Sequence, residues 1–193
     1  MAQLISIQER SGPDKDGTWQ AVVRFNNGPE NPIAISNPFS DKEEEELEWY
    51  FEEHLEFPFT RKVRARDAAM SVKTYGEKLF QQVFGDPDIY TEYRGMLKAG
   101  PSDVSIEIEG EPAFHVLHWE ALKDPKFERP LAVQATMVRK NKQAQKLPLS
   151  IRSSPTINLL IVTARPSGKR DVGYRTISRP LVEALRNANL RVQ

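Results

Sequence analysis

Ile157-Asn158-Leu159-Leu160-Ile161-Val162-Thr163 is followed by Ala164-Arg165-Pro166-Ser167-Gly168-Lys169-Arg170-Asp171 and then by residues 172–187. A largely apolar run of seven, closed by a basic loop bearing Pro and Gly, reads as a buried strand and its exit loop. Leu181, Val182 and Leu185 beyond it recur at helical spacing, so the order is strand, loop, helix, the opening half of a parallel βα unit. Leu190-Arg191-Val192 reads as the start of a second strand.

Working outward from this unit, the amino-terminal part has a different texture. Leu4, Ile5 and Ile7, then residues 19–25, then Ile33-Ala34-Ile35 are short β-prone runs, separated by Ser11-Gly12-Pro13-Asp14-Lys15-Asp16-Gly17 and Asn26-Asn27-Gly28-Pro29. Those separators are turn chemistry, and the expectation is a small antiparallel meander. Ser40-Asp41-Lys42-Glu43 has the form of a capping box with acids at the positive end of a helix dipole. A helix is expected over residues 41–56, with Leu47, Tyr50, Phe51 and Leu55 as its apolar stripe, stopping before Pro58.

A second helix is expected from residue 60 or 61 to 84, on Ala68, Ala69, Val72, Tyr75, Leu79 and Val83, with Gly85 as its C′ residue. A shorter third helix follows Pro87, carries Ile89, Tyr93, Met96 and Leu97, and ends at Gly100-Pro101. Residues 104–108 alternate as a half-buried strand and residues 131–139 read as another. A boundary is expected near Gly100, dividing the chain into a meander-and-helix region over 1–100 and a second region over 101–193. The fold class is mixed α/β.

Composition removes several kinds of function. Among the 193 residues, Lys+Arg and Asp+Glu both number 27, so no net charge draws the chain to nucleic acid or to an anionic membrane. There is no cysteine, hence no disulfide framework, no thiolate metal site and no thiol nucleophile in this chain. No run approaches the roughly 18 apolar residues of a spanning helix, and a cytoplasmic setting is expected. Residues 165–171 lack the Gly spacing and the Gly-Lys-Ser/Thr ending of a P-loop.

Phe114-His115-Val116-Leu117-His118-Trp119-Glu120-Ala121-Leu122, then Asp124-Pro125, Pro130-Leu131-Ala132 and a strand ending in Arg139, resemble the start of a CHAT domain, a caspase-like family related to caspases and separase. The family places a Pro-Trp-Glu-x-Leu segment there, then a strand ending near an Arg, a linker, and a strand like residues 157–163; this chain has His118 in place of the Pro. The resemblance extends to the Trp49-Tyr50-Phe51-Glu52 region and Phe57-Pro58. It implies the leading strands and first βα unit of an incomplete caspase-like sheet, with the catalytic His and Cys of the family expected beyond Gln193 and this chain inactive by itself. The alternative is a regulatory or adaptor module for protein interaction.

Candidate site residues follow from placement. Ligands of open α/β sheets gather beyond the carboxyl ends of strands, and the resemblance adds that caspases use an Arg of that loop for acidic substrate side chains. Arg165, Lys169 and Arg170 are therefore the candidate substrate- or anion-binding residues. No catalytic residue is assigned, and no metal or cofactor. His115, His118 and Glu120 lack the zinc-peptidase arrangement and are read as a packed aromatic segment. Trp119 is read as core filler with its N–H bonded, and Glu120 as a partner of backbone amides or of a nearby Arg. The acidic face over 43–56 and the basic stretch over 61–66 are expected to attract one another. The partners expected are a protein or a carboxyl-terminal CHAT segment, or a second copy through an exposed sheet edge.

Overall fold

The structure, a computed structural model, describes residues 3–54, 61–142 and 174–187. Residues 157–163, the loop with Arg165, Lys169 and Arg170, and Leu190 to Val192 lie outside the described residues, as does Leu55. The protein is mixed α/β, as the alternation of patterns predicts.

Strands β1 (Gln3–Ser11), β2 (Thr18–Phe25) and β3 (Glu30–Ser36) form the expected antiparallel meander. Its turns work as their residues suggest. Asp14 Oδ1 accepts the N–H groups of Asp16 and Thr18 at 2.9 and 3.0 Å, and Gly17 takes φ 74°. Asn26 sits at φ 50° and its Oδ1 accepts the Leu4 N–H at 2.9 Å. Strand β4 (Val104–Gly110) then pairs in parallel with β1, and β5 (Thr136–Asn141) in parallel with β4, giving the order β3-β2-β1-β4-β5. The boundary expected near Gly100 falls between β1 and β4, which are neighbours in one sheet.

One face of the sheet is apolar. Ile5, Ile7, Trp19, Val23, Phe25, Ile35, Val104, Ile106 and Ile108 are buried there in a single cluster with the helices. The other face carries ion pairs, among them Lys140–Glu107 at 2.6 Å and Arg24–Glu30.

Helix α1 (Asp41–Glu48) begins at Ser40, whose N–H and hydroxyl both donate to the Glu43 carboxylate at 2.8 Å. The helix expected over 41–56 does not keep its pitch. Trp49–His54 is a π-helical turn, whose i→i+5 bonding widens the coil and shifts the phase of the apolar stripe. Leu47 is buried, but Phe51 is 49% exposed.

Helix α2 (Lys62–Phe84) lies against the apolar face through Tyr75, Leu79, Val83 and Phe84, all fully buried; Ala69, expected in its stripe, is exposed. Gly85 ends it at φ −75°, so this residue closes the helix without the left-handed turn expected of a C′ glycine. Helix α3 (Pro87–Met96) starts on Asp86, whose carboxylate accepts the N–H groups of Asp88 and Ile89, and a 3-10 turn at Leu97–Ala99 carries the chain to Gly100. The single strand expected over 131–139 is two elements. After Pro130, the Leu131 carbonyl accepts both the Gln134 and Ala135 N–H groups, making a 3-10 turn at Leu131–Val133, and only then does β5 begin. Helix α4 (Tyr174–Asn187) contains Pro180 and leaves Leu181 42% exposed. Among the described residues, no helix is long and apolar enough to cross a membrane.

Candidate functional site

A cleft of about 740 Å³ opens between α1, α2 and the segment that joins β4 to β5. Each wall follows from local sequence. On α1, Asp41, Glu44, Glu45 and Glu48 stand at intervals of three and four, so they share one face and line the cleft together. The same helix is held to α2 from its other side. Arg64 donates to Glu46 through Nε and a terminal nitrogen at 2.6 and 2.8 Å, and its guanidinium lies 3.7 Å over the Trp49 ring. These bonds hold the Glu46 carboxyl below its ordinary range and raise Arg64. The attraction expected between the acidic and basic stretches is thus a specific forked pair.

The facing wall is built on Trp119, which is fully buried and donates its indole N–H to the Phe114 carbonyl at 2.9 Å. With Trp119 fixed, the flanking polar residues turn outward. The His118 backbone N–H donates to the Tyr75 hydroxyl at 3.1 Å, and the two rings meet edge to face at 5.1 Å. Burial pushes the Tyr75 hydroxyl up to about 12, so it stays a neutral phenol under ordinary conditions. His118 Nε2 meets Glu44 Oε2 at 2.8 Å, joining the two walls at one edge.

Glu120 takes the other expected partner. Arg139 Nε donates to it at 2.8 Å and a second guanidinium nitrogen donates to its other oxygen. Burial pushes the Glu120 carboxyl up, but the Arg139 bonds outweigh that effect and hold it below the ordinary 4.5. Arg139 also donates to the carbonyls of His115 and Leu117, so one guanidinium ties β5 to the whole Trp119 segment.

The floor is apolar, made by Leu47, Val72, Ala121 and Pro130, with Phe51 at one end. Its depth depends on a glycine. The Lys123 N–H donates to the Gly76 carbonyl at 3.1 Å, and a Cβ at Gly76 would lie 1.8 Å from the Ala121 carbonyl oxygen. Only a residue with no side chain lets α2 and the Trp119 segment approach this closely.

His115, His118 and Glu120 do not converge: His115 Nε2 lies 3.0 Å from the Lys140 carbonyl, while His118 and Glu120 turn to Glu44 and Arg139. The polar lining of the cleft is five carboxylates, one imidazole and one phenol, over an apolar floor. That surface suits a ligand with positive charge and apolar bulk. Sequence reasoning named several of these side chains as structure but not the cleft they enclose. The signal was the spacing of Asp41, Glu44, Glu45 and Glu48, legible as one helix face, whereas the opposing wall comes from residues some 75 positions away, as in the Glu44–His118 pair with a separation of 74.

No protein-family model matches this sequence. Neither a curated protein nor a solved structure matches it.

Proposed function

We propose that this chain works by binding: a protein-interaction module, built on the leading part of a CHAT-type, caspase-like fold, that presents an acid-rimmed apolar cleft and supplies no hydrolytic dyad. The observation that carries the binding reading is the cleft itself. It pairs about 740 Å³ of apolar-floored space with carboxylates on both walls, the composition of a site for a basic, apolar segment of a protein.

The CHAT-type part of the reading is supported by the way the Trp119-Glu120-x-Leu122 segment is used. Trp119 and Leu122 are fully buried, and Glu120 binds Arg139, which lies within β5, a strand parallel to its neighbour and continuing to Asn141. A thiol peptidase needs a thiolate, and this chain has no cysteine.

The test is calorimetric titration of the chain with peptides carrying Arg or Lys among bulky apolar residues, beside neutral and acidic controls. Basic apolar peptides are expected to bind, and Glu45→Lys/Glu48→Lys to abolish it. Equal affinity for acidic controls would overturn the binding reading. Peptide-library turnover by the chain that survives purification and Ser167→Ala would overturn the absence of a hydrolytic role.

A further inference from the structure

Of the carboxylates on α1 that line the cleft, Glu44 is the best placed to hold a cation. Asp41, Glu45 and Glu48 are exposed, whereas the Glu44 side chain is 30% exposed, so a charge beside it is screened less by solvent. Its carboxylate is also fixed in direction. Oε1 accepts the Asn37 side-chain N–H at 2.8 Å, which leaves Oε2 for the opposite wall.

That second oxygen is already taken. His118, the one imidazole lining the cleft, brings Nε2 to 2.8 Å from it. The His118 side chain is 46% exposed and bonds to Glu44 alone among the described residues, while its backbone N–H stays on the Tyr75 hydroxyl. The ring can therefore swing off Glu44 without moving the buried Trp119 segment. The charged groups around it are mostly acidic. Asp41, Glu45 and Glu48 share the cleft from α1, and Glu120 stands on its own segment, close enough that a charged His118 helps to keep that carboxyl ionised. From α2 comes the neutral Tyr75 phenol, and from β5 comes Arg139, which is committed to Glu120.

Resting on the binding-module reading, we infer that Glu44 is the seat for a basic group of the ligand and that the His118 imidazole is a stand-in occupying that seat in the free protein, so that ligand and proton compete for the cleft. A neutral imidazole gives Glu44 an ordinary hydrogen bond, which an arriving guanidinium or ammonium replaces with a charged one. A protonated imidazole holds Glu44 by a charge-assisted bond, roughly twice as strong, and adds a positive charge that repels the ligand. Both effects weaken binding as pH falls through the range in which imidazoles charge, about pH 8 to 5. One proton competing with one ligand changes the affinity by at most about tenfold per pH unit.

Calorimetric titration of the full chain with one basic apolar peptide, at about pH 7.5 and about pH 5.5, tests this above the ordinary carboxylate range. The unchanged protein is expected to bind at least about fivefold more weakly at the lower pH. His118→Gln can still bond Glu44 but cannot take up a charge, and is expected to lose this dependence. His118→Lys is charged throughout and is expected to bind weakly at both values. His115→Gln is expected to keep the dependence of the unchanged protein, because His115 lies against the Lys140 carbonyl and outside the cleft lining. Circular dichroism confirms that all three variants keep their helix content.

Equal affinity at the two pH values in the unchanged protein overturns the inference and leaves the binding module standing, and so does a His118→Gln variant that keeps the full dependence. If no basic apolar peptide binds at either pH, both fall.

Discussion

Arg139 holds Glu120 in a fork, with Nε 2.8 Å from one carboxylate oxygen, and gives two further donors to the backbone carbonyls of His115 and Leu117. One side chain on β5 thereby positions a segment that begins more than twenty residues earlier.

Replacing Arg139 by Lys keeps the charge but loses the fork, because an ammonium is a point donor that cannot satisfy four acceptors in this plane. The loss expected is about 1–2 kcal/mol, at the low end for charged bonds because the pair is partly exposed. Urea denaturation of Arg139→Lys and Arg139→Ala measures it. A stability equal to that of the unchanged protein in both variants would show that the Trp119 segment is held without this arginine.

Trp119→Phe separates the two jobs of the indole. The six-membered ring is kept and the pyrrole part is lost, so the Phe114 carbonyl loses its 2.9 Å donor in a fully buried setting. A cost of about 1–3 kcal/mol is expected for the unpaired group, whereas Trp119→Ala adds a cavity and is expected to reach about 3–5 kcal/mol. Equal losses in the two variants would mean that the lost N–H bond, and not the volume, sets the cost there.

Gly76→Ala is expected to be among the most damaging single-methyl changes in the chain. The new Cβ meets backbone, the Ala121 carbonyl 1.8 Å away, and backbone cannot swing aside as a flexible side chain would. The expected cost is about 3 kcal/mol, the upper part of the usual range for overpacking, against the small gain in helix propensity that Ala brings elsewhere. The same substitution at Gly95, where no atom lies within 4 Å, serves as the control and is expected to be neutral or stabilising.

Acid should loosen the cleft before it unfolds the sheet. Glu43, Glu46 and Glu120 all have carboxyls held below the ordinary 4.5, through bonds from the Ser40 backbone for Glu43, from Arg64 for Glu46, and from Arg139 against the opposing effect of burial for Glu120. A depressed folded value means that the stabilisation is complete above the unfolded value near 4.5 and disappears as pH falls through the lower folded values. The urea midpoint is therefore expected to fall between about pH 6 and about pH 3, and Glu120→Gln to fall less steeply. A midpoint that rises on acidification would refute the sign.

The elements that depend on neighbours in sequence were legible. Asp14 and Gly17 act locally, and so do Ser40 with Glu43 and Asp86 with the start of α3, which is why the first turn of the meander and the starts of α1 and α3 can be read directly. The π-helical turn was not, since Leu47, Tyr50, Phe51 and Leu55 fit an ordinary helix equally well. Leu131 looked like strand because it opens the run 131–139, while its carbonyl closes a turn with the Gln134 and Ala135 N–H groups there. Trp119 and Glu120 were legible as a buried anchor and a salt-bridge acceptor. Gly76 was not, because its reason is the Ala121 carbonyl, 45 residues on, and nothing in the residues around Gly76 announces that approach. The loop with Arg165, Lys169 and Arg170 stays an expectation.

The position of β1 in the sheet has a consequence for synthesis. As the chain emerges from the ribosome, β1 can pair at once with β2, but its other edge waits for Val104, the partner of Gln3. At typical translation rates that interval is about 5–20 s. For all of it, a meander with Ile5 and Ile7 on its open apolar face stands with its β1 edge unpaired, and α2 and α3 are made in the meantime. The nascent helices are then the first elements able to cover that face, so the order meander, helices, β4 keeps the waiting β1 edge beside its own chain.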